Sequence, residues 1–452
     1  MVNFNKQLLK YIPGGAHTYS RGADTFPTNA PQILNNGKGV KIYDHNGKEF
    51  IDFGMGLRSV NIGYSENSID NAAIDGIKKG NNLTRPSLIE LNAAKTFLSL
   101  IKKADMVKFG KNGSISVTAA VKLARAYTKK KMILRCSNHP FFSFDDWFIG
   151  STVVNRGIPN DIKKLTETFQ YNDLDSLKKK IKQFKNEIAC VVLEPATEEC
   201  PKYFDDIGCC NKPMCERKYK SNNHFLKEVQ KLCNENKIVF ILDEMITGFR
   251  WHIGGAQEMY GLNPDLSTFG KAMANGFSVS AICGKKEIME LGSITKKNEE
   301  RVFLLSTTHG AEMGPLNAFM KTTDFIKKNN VLETNWLTGA KLSSKINEIS
   351  QSHRILSNFY IKGPTCSPVF VCLNENYKVD LNLRTLFIQE MIRNGVLMPW
   401  ISVAYHHKDK LILKKTLEAV DKSLFIYKKA LKYGYKKYLK GRSIKPVFRK
   451  FN

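Results

Sequence analysis

Two short apolar runs, each closed by acidic residues, constrain this chain more than any other feature. Ile188–Leu193 is apolar at every position and ends at Glu194-Pro195; residues 237–242 form a second apolar run that ends at Asp243-Glu244. Between them, residues 225–234 repeat apolar positions at helical spacing. A run that is apolar throughout belongs to a strand covered on both faces. Strands of that kind, separated by helices, belong to a parallel sheet with helices on both sides. Ligands of such sheets gather outside the carboxyl ends of the strands, and both acidic pairs stand at such ends.

The rest of the chain fits an α/β reading. Residues 40–43 and 49–53 flank Asp44-His45-Asn46-Gly47, a hairpin signal. Residues 116–127 read as a helix with Val117, Ala120, Val121 and Ala124 on one face. After Gly314 a long helical pattern continues to about Asn347. Short strands follow near 367–373 and 395–398, with a last helix over 413–432. This predicts a smaller α+β domain at the C-terminal end, with residues 300–314 as the joint.

Composition narrows the class. The 452 residues are 42% hydrophobic and 25% charged, the balance of a soluble globular protein of more than one domain. No 18-residue apolar stretch is present, so no membrane partner is expected. The first residues lack the basic-then-apolar pattern of a secretory signal, which makes a cytoplasmic enzyme the default. The formal net charge of +27 fits either an anionic partner or Lys residues spread over a solvated surface; their scatter favours the second. The exception is a basic tail from Lys428 to Lys450 interleaved with Tyr and Phe. It holds no nucleic-acid motif, so nucleic acid is not an expected partner. Cys200, Cys209, Cys210 and Cys215 cluster without forming two CxxC-like pairs; they read as a Cys-bearing insertion, and no metal site is expected.

Three segments carry chemistry together. Asp243 closes an apolar strand in Ile241-Leu242-Asp243-Glu244-Met245-Ile246-Thr247-Gly248-Phe249-Arg250. Lys271 lies in Ser267-Thr268-Phe269-Gly270-Lys271-Ala272-Met273-Ala274. Gly110-Lys111-Asn112-Gly113-Ser114 opens a helix. A partly desolvated lysine is a nucleophilic amine able to form a Schiff base. An aspartate facing a pyridine nitrogen keeps it protonated. Gly113 and Ser114 at a helix N-terminus offer donors to a phosphate. The cofactor suited to all three is pyridoxal 5′-phosphate.

At these residues the chain resembles the class III aminotransferases, most of all their glutamate-1-semialdehyde 2,1-aminomutase branch. The resemblance runs from Ile12-Pro13-Gly14-Gly15 to about Pro399. It is strongest over Asp243 to Arg250, Pro264 to Lys271, residues 40–53 and Leu123-Ala124-Arg125. It implies the fold-type-I pyridoxal-phosphate transferase architecture. That is a large domain with a mostly parallel sheet of the seven-stranded type, plus a smaller α+β domain from both chain ends. Residues 1–60 would form the N-terminal segment of the small domain and substrate site, 61–314 the large cofactor-binding domain, and 315–452 the C-terminal small domain with its tail. It also implies a homodimer whose sites are built by both subunits.

Residue by residue, the resemblance makes Lys271 the Schiff-base lysine and Asp243 the partner of the pyridinium. Glu194 sits in the site. Gly113 and Ser114 hold the phosphate, and Met245 or Ile246 packs on one face of the ring. Thr308 (or Thr307, one place earlier) reaches the phosphate held by the neighbouring subunit. His139, with Phe141 behind it, replaces a stacking tyrosine. Thr18 and Arg21 match residues that bind a substrate carboxylate. The active-site tryptophan of the aminomutases is Leu57 here, with Arg58 beside it, and their C-terminal substrate-contacting glutamate has no counterpart in residues 399–407. The expected activity is therefore amino transfer from a donor such as glutamate to a keto or aldehyde group of a small anionic acceptor, with Arg21, Arg58 and Arg250 as candidate anion binders. The alternative is an aminomutase moving an amine within one substrate.

Overall fold

The hairpin expected near residue 44 is where the fold begins. β1 (Leu34–Lys38), β2 (Lys41–Asp44) and β3 (Glu49–Asp52) form an antiparallel meander. Its turn is closed by the Asp44 carboxylate, which accepts the N–H groups of Asn46 and Lys48 at 2.9 Å each. A computed structural model describes residues 3–204 and 223–452. They form two compact units, residues 3–66 with 333–452, and residues 67–204 with 223–332. Cys209, Cys210 and Cys215 lie outside the described residues; Cys200 is buried.

The second unit holds the sheet anticipated from the apolar runs. β4 (Met106–Gly110), β5 (Met132–Cys136), β6 (Thr166–Phe169), β7 (Ile188–Leu193), β8 (Val239–Asp243), β9 (Leu266–Phe269) and β10 (Ser280–Gly284) lie in the order β4-β10-β9-β8-β7-β5-β6. β5 through β9 pair in parallel, whereas β10 is antiparallel to both β4 and β9. Every residue of β7 and β8 is buried, which is why both read as unbroken apolar runs. One edge of the sheet thus collects the carboxyl ends of β4, β5, β7, β8 and β9 and the amino end of β10.

Helices cover this sheet. The Gly113–Thr128 helix is capped by Asn112, whose side chain accepts the Ile115 N–H at 3.2 Å, and it buries Val117, Ala120, Val121 and Ala124 as expected. The single long helix expected to run to Asn347 is two, Met313–Lys328 and Val331–Ser352. Asn329 turns its amide back to the Phe325 carbonyl at 3.0 Å and Asn330 takes φ +48°, a left-handed conformation that asparagine tolerates and that ends a helix. The first of the pair packs on the Asn67–Lys78 helix within the second unit. At Gly76 a Cβ would lie 2.6 Å from the Met313 backbone, so only glycine permits that approach.

The first unit resumes with β11 (Phe359–Lys362), β12 (Val369–Cys372) and β13 (Val396–Leu397). β11 and β12 form a two-stranded ribbon, and β13 joins β3 in parallel. The Leu381–Arg393 and Lys410–Tyr433 helices complete it. Its largely aliphatic core includes an aromatic cluster: Phe359 packs on Phe387 at 4.6 Å between ring centroids and on Tyr427 at 5.6 Å. Among the described residues no helix is long and apolar enough to cross a membrane.

Candidate active site

Strand register brings the chemistry-bearing residues of the second unit together. Asp243, the last residue of β8, is paired with Thr268 of β9. The Thr268 hydroxyl donates to Asp243 Oδ1 at 3.1 Å and the Met245 N–H donates to the same oxygen at 3.0 Å. Lys271 follows three residues after Thr268, at the same edge. Burial pushes the Asp243 carboxyl up to about 6, and the Lys271 charge opposes that rise. The carboxylate is thus dry, oriented and answered by a cation.

Lys271 takes φ +41°, in the left-handed region, at the start of a one-turn 3-10 segment to Ala274. A non-glycine residue there costs about 1–3 kcal/mol of strain and is held only where its surroundings insist on it. Gly270, just before it, and Gly113, at the start of the helix after β4, both press on Met245. A Cβ would lie 2.7 Å from the Met245 sulfur at Gly270 and 2.9 Å at Gly113. Three segments distant in sequence therefore form one tight cradle. Met245 itself is buried, with Ile246 half-buried beside it.

The phosphate-binding candidates are anchored from both sides. The Ser114 hydroxyl, in the first turn of its helix, accepts the Phe144 N–H at 3.2 Å. Ser280, at the amino end of β10, donates to the Asn112 carbonyl at 2.8 Å and meets the Ser116 hydroxyl at 2.8 Å. Lys111 pairs with Glu312 at 2.5 Å, and Glu312 also meets His309 Nδ1 at 2.9 Å. Thr308 is exposed, as is Thr307; the Thr308 carbonyl accepts from the Asn82 side chain at 3.0 Å.

His139 follows β5 and is 1% exposed. Its Nδ1 accepts the Glu194 backbone N–H at 2.9 Å, which leaves the proton of the neutral ring on Nε2. Burial, with Arg135 adding to it, pushes this histidine down to about 3, so it stays neutral. Nε2 is buried without a hydrogen-bond partner among the described residues. Phe141, the other stacking candidate, is 46% exposed and packs on Phe148. Glu194 is buried at the end of β7. Arg250 is fully buried.

The remaining candidates lie in the first unit. Thr18 caps the short turn Tyr19–Arg21. Met55, Gly56, Leu57 and Arg58 form a left-handed turn with φ of +42°, +56°, +60° and +67°. It is held by buried Asp52, which accepts the N–H of Gly54 at 2.7 Å, the N–H of Met55 at 3.0 Å and the Tyr64 hydroxyl at 2.6 Å. A cavity of about 790 Å³, within the size range of small-molecule sites, is lined in this unit by Arg21, Leu57, Tyr64, Trp400 and Arg442 among others. Trp400 donates its indole N–H to the Gly54 carbonyl at 3.1 Å. Sequence reasoning passed over Trp400; the only signal was an indole following Pro399 beyond a short strand.

The residues fit pyridoxal phosphate. A glycine-lined cradle, a helix N-terminus, a buried carboxylate, a strained lysine and an orphaned imidazole N–H share one sheet edge. Fold and site together define a fold-type-I pyridoxal-phosphate enzyme. The aminotransferase class-III family model matches residues 25–212 and 217–402. A 3-aminobutyryl-CoA aminotransferase of Cloacimonas acidaminovorans is 32% identical over 430 residues, covering 94% of this chain and 97% of that protein. A glutamate-1-semialdehyde 2,1-aminomutase of Methanosphaera stadtmanae is 30% identical, covering 92% and 96%. The FumI protein of Sphingopyxis sp. MTA144, solved with its pyridoxal phosphate, superposes with a TM-score of 0.81 over 95% of this chain and 96% of that one, at 24% identity. This chain belongs to the class-III aminotransferases, and pyridoxal 5′-phosphate is its cofactor.

Proposed function

We propose that this enzyme transfers an amino group from a donor, glutamate being the first candidate, to a keto or aldehyde group of a small anionic acceptor. The observation that carries this reading is buried Asp243, in register with Thr268 and close enough to feel the charge of Lys271 three residues further on, beside the Met245–Gly113–Gly270 cradle. Bound there, pyridoxal phosphate supplies an electron sink for the carbon that bears the substrate's amine. Lys271 Nζ would hold the cofactor and would move a proton at the carbon that bears the substrate's amine. Asp243 holds the positive charge on the ring nitrogen. Gly113 and Ser114 hold the phosphate. His139 would pack against the cofactor, and its Nδ1 accepts the Glu194 backbone N–H. Thr18, Arg21 and Arg58 receive the substrate's anionic group.

Leu57 supports transfer between two substrates over rearrangement within one, since the aminomutase branch carries a tryptophan there. The test is a screen of acceptors with enzyme loaded with pyridoxamine phosphate, read by mass spectrometry of the aminated product. A transferase also converts glutamate to 2-oxoglutarate as its cofactor band shifts. An enzyme that isomerises glutamate 1-semialdehyde with no second substrate would overturn this reading in favour of the aminomutase.

A homodimer completes the reading, with Thr308 reaching the phosphate bound by the partner. Ile74, Ile77, Leu83, Leu88 and Leu91 are all exposed on the second unit, and Asn82, in their midst, holds the Thr308 carbonyl. Exposed apolar side chains of this kind are what an interface between copies would cover.

A further inference from the structure

The basic tail singled out in the sequence is tied to the N-terminal segment. After the Lys410–Tyr433 helix ends at Gly434, the chain returns to residues 23–28. Arg442 donates through Nη1 to the carbonyls of Asp24 at 3.0 Å and Phe26 at 3.5 Å, and through Nη2 to that of Ala23. Arg449 pairs with the Asp24 carboxylate, and the Lys445 N–H donates to the Asp24 carbonyl at 2.9 Å. The Thr28 hydroxyl donates to the Lys440 carbonyl at 2.8 Å. Gly441, at φ +80°, lies against Thr28 so closely that a Cβ would sit 2.5 Å from its methyl.

On its other side the tail is fixed to the Leu381–Arg393 helix. Gln389 accepts the Lys440 N–H at 2.7 Å and donates to the Tyr438 carbonyl at 3.1 Å, and Thr385 accepts the Ile444 N–H at 3.0 Å. Otherwise the held segment is fixed by Phe26, packed half-buried against the core, and by the neighbouring Asn29 amide, which donates to the Gln389 carbonyl at 2.9 Å. Its turns Tyr19–Arg21 and Ala23–Thr25 bury no residue, and isolated 3-10 turns have no stability of their own. Thr25 links the two turns by donating to the Gly22 carbonyl at 2.9 Å and the Ser20 carbonyl at 3.3 Å. Arg21 and Arg442 both line the 790 Å³ cavity. Arg442 directs Nη1 and Nη2 to backbone carbonyls, and through these bonds it shapes that wall.

We infer that the C-terminal tail positions Arg21 for the substrate's anion, with Arg442 and Arg449 as positioning residues; this rests on the reading of Arg21 above. The consequence is that the tail sets substrate affinity and leaves cofactor binding alone. The test uses full-length holoenzyme carrying Arg442→Ala, Arg442→Lys, Arg449→Ala or the reversed pair Asp24→Arg with Arg449→Asp. Trypsin cleavage after the exposed Arg21 is followed by mass spectrometry. It accelerates about tenfold in both alanine variants and is restored towards wild type in the reversed pair, as expected for loss of a charge-assisted contact that suppresses local opening. In the same proteins the half-saturating concentration of L-glutamate rises about tenfold while the limiting rate and the cofactor absorbance stay within about twofold. Arg442→Lys keeps the charge, loses the fork and falls between. Unchanged cleavage, or accelerated cleavage with unchanged glutamate half-saturation, overturns the inference. If Arg21→Ala itself leaves glutamate half-saturation unchanged, the failure belongs to the reading of Arg21, and the cleavage rates alone decide whether the tail is a clamp.

Discussion

Lys271 and Asp243 illustrate how much the environment adds to residue type. A lysine in a glycine-flanked turn is unremarkable on a surface; here it is strained and faces a buried carboxylate. Borohydride reduction of the holoenzyme should fix the cofactor to the peptide containing Lys271, and label found in any other peptide would refute the assignment. Asp243→Ala should keep part of its cofactor and lose most of its turnover, since a charge pair in a dry site is worth roughly 3–5 kcal/mol when one partner is removed. Near-wild-type rates in that variant would point to a different carboxylate. That these two residues share one sheet edge was legible because each stands at the end of a strand that reads from its own local pattern. Trp400 and Thr268 were not, since their roles come from Gly54 and Asp243, which only the fold brings near. Leu57, at φ +60°, gives a residue-scale test of strain. Leu57→Asn should hold or raise the melting temperature, since asparagine accepts that conformation at lower cost; a clear fall would show that the leucine side chain contributes more than its backbone costs.

Among the elements, the segment after β8 is governed by Glu244. Its fully buried carboxyl accepts the N–H groups of Ala256 at 2.9 Å and Gln257 at 2.6 Å and contacts the Thr247 hydroxyl. Burial pushes it up to about 7 from an ordinary 4.5, so the folded chain holds a proton that the unfolded chain has released. Stability contributed by the neutral form is complete below about pH 4.5 and is lost as the pH rises towards 7. Urea unfolding of the wild type from pH 5 to 8 should show this decline, and Glu244→Gln should flatten it; an equally steep decline in the variant would place the titrating group elsewhere. The same scale marks where sequence patterns stop. β7 and β8 are apolar on both faces and could be read directly. β11 is four residues of alternating burial, too short for a period to emerge. The break at Asn329 and Asn330 falls within a helical pattern that resumes at once, so only the backbone reveals it.

For the whole molecule, assembly and cofactor binding should be linked. If Thr308 of one subunit completes the phosphate site of another, cofactor affinity falls on dilution into the monomer range. Thr308→Ala should weaken cofactor retention with folding intact, and sedimentation at micromolar concentration should find a dimer. A monomer with full cofactor occupancy would contradict both. The first unit draws on both ends of the chain, while the described residues of the second lie wholly between them. During synthesis the cofactor-binding unit can therefore finish folding while residues 23–28 still wait for Arg442 and Arg449. At ordinary elongation rates that wait is on the order of tens of seconds. A nascent chain cut short before Arg442 should, on the proposed role of the tail, take up cofactor yet carry a loose substrate wall. On the reading that the tail positions Arg21, residues 442–449 follow the whole cofactor-binding unit in translation order, so the substrate wall closes later than the cofactor site.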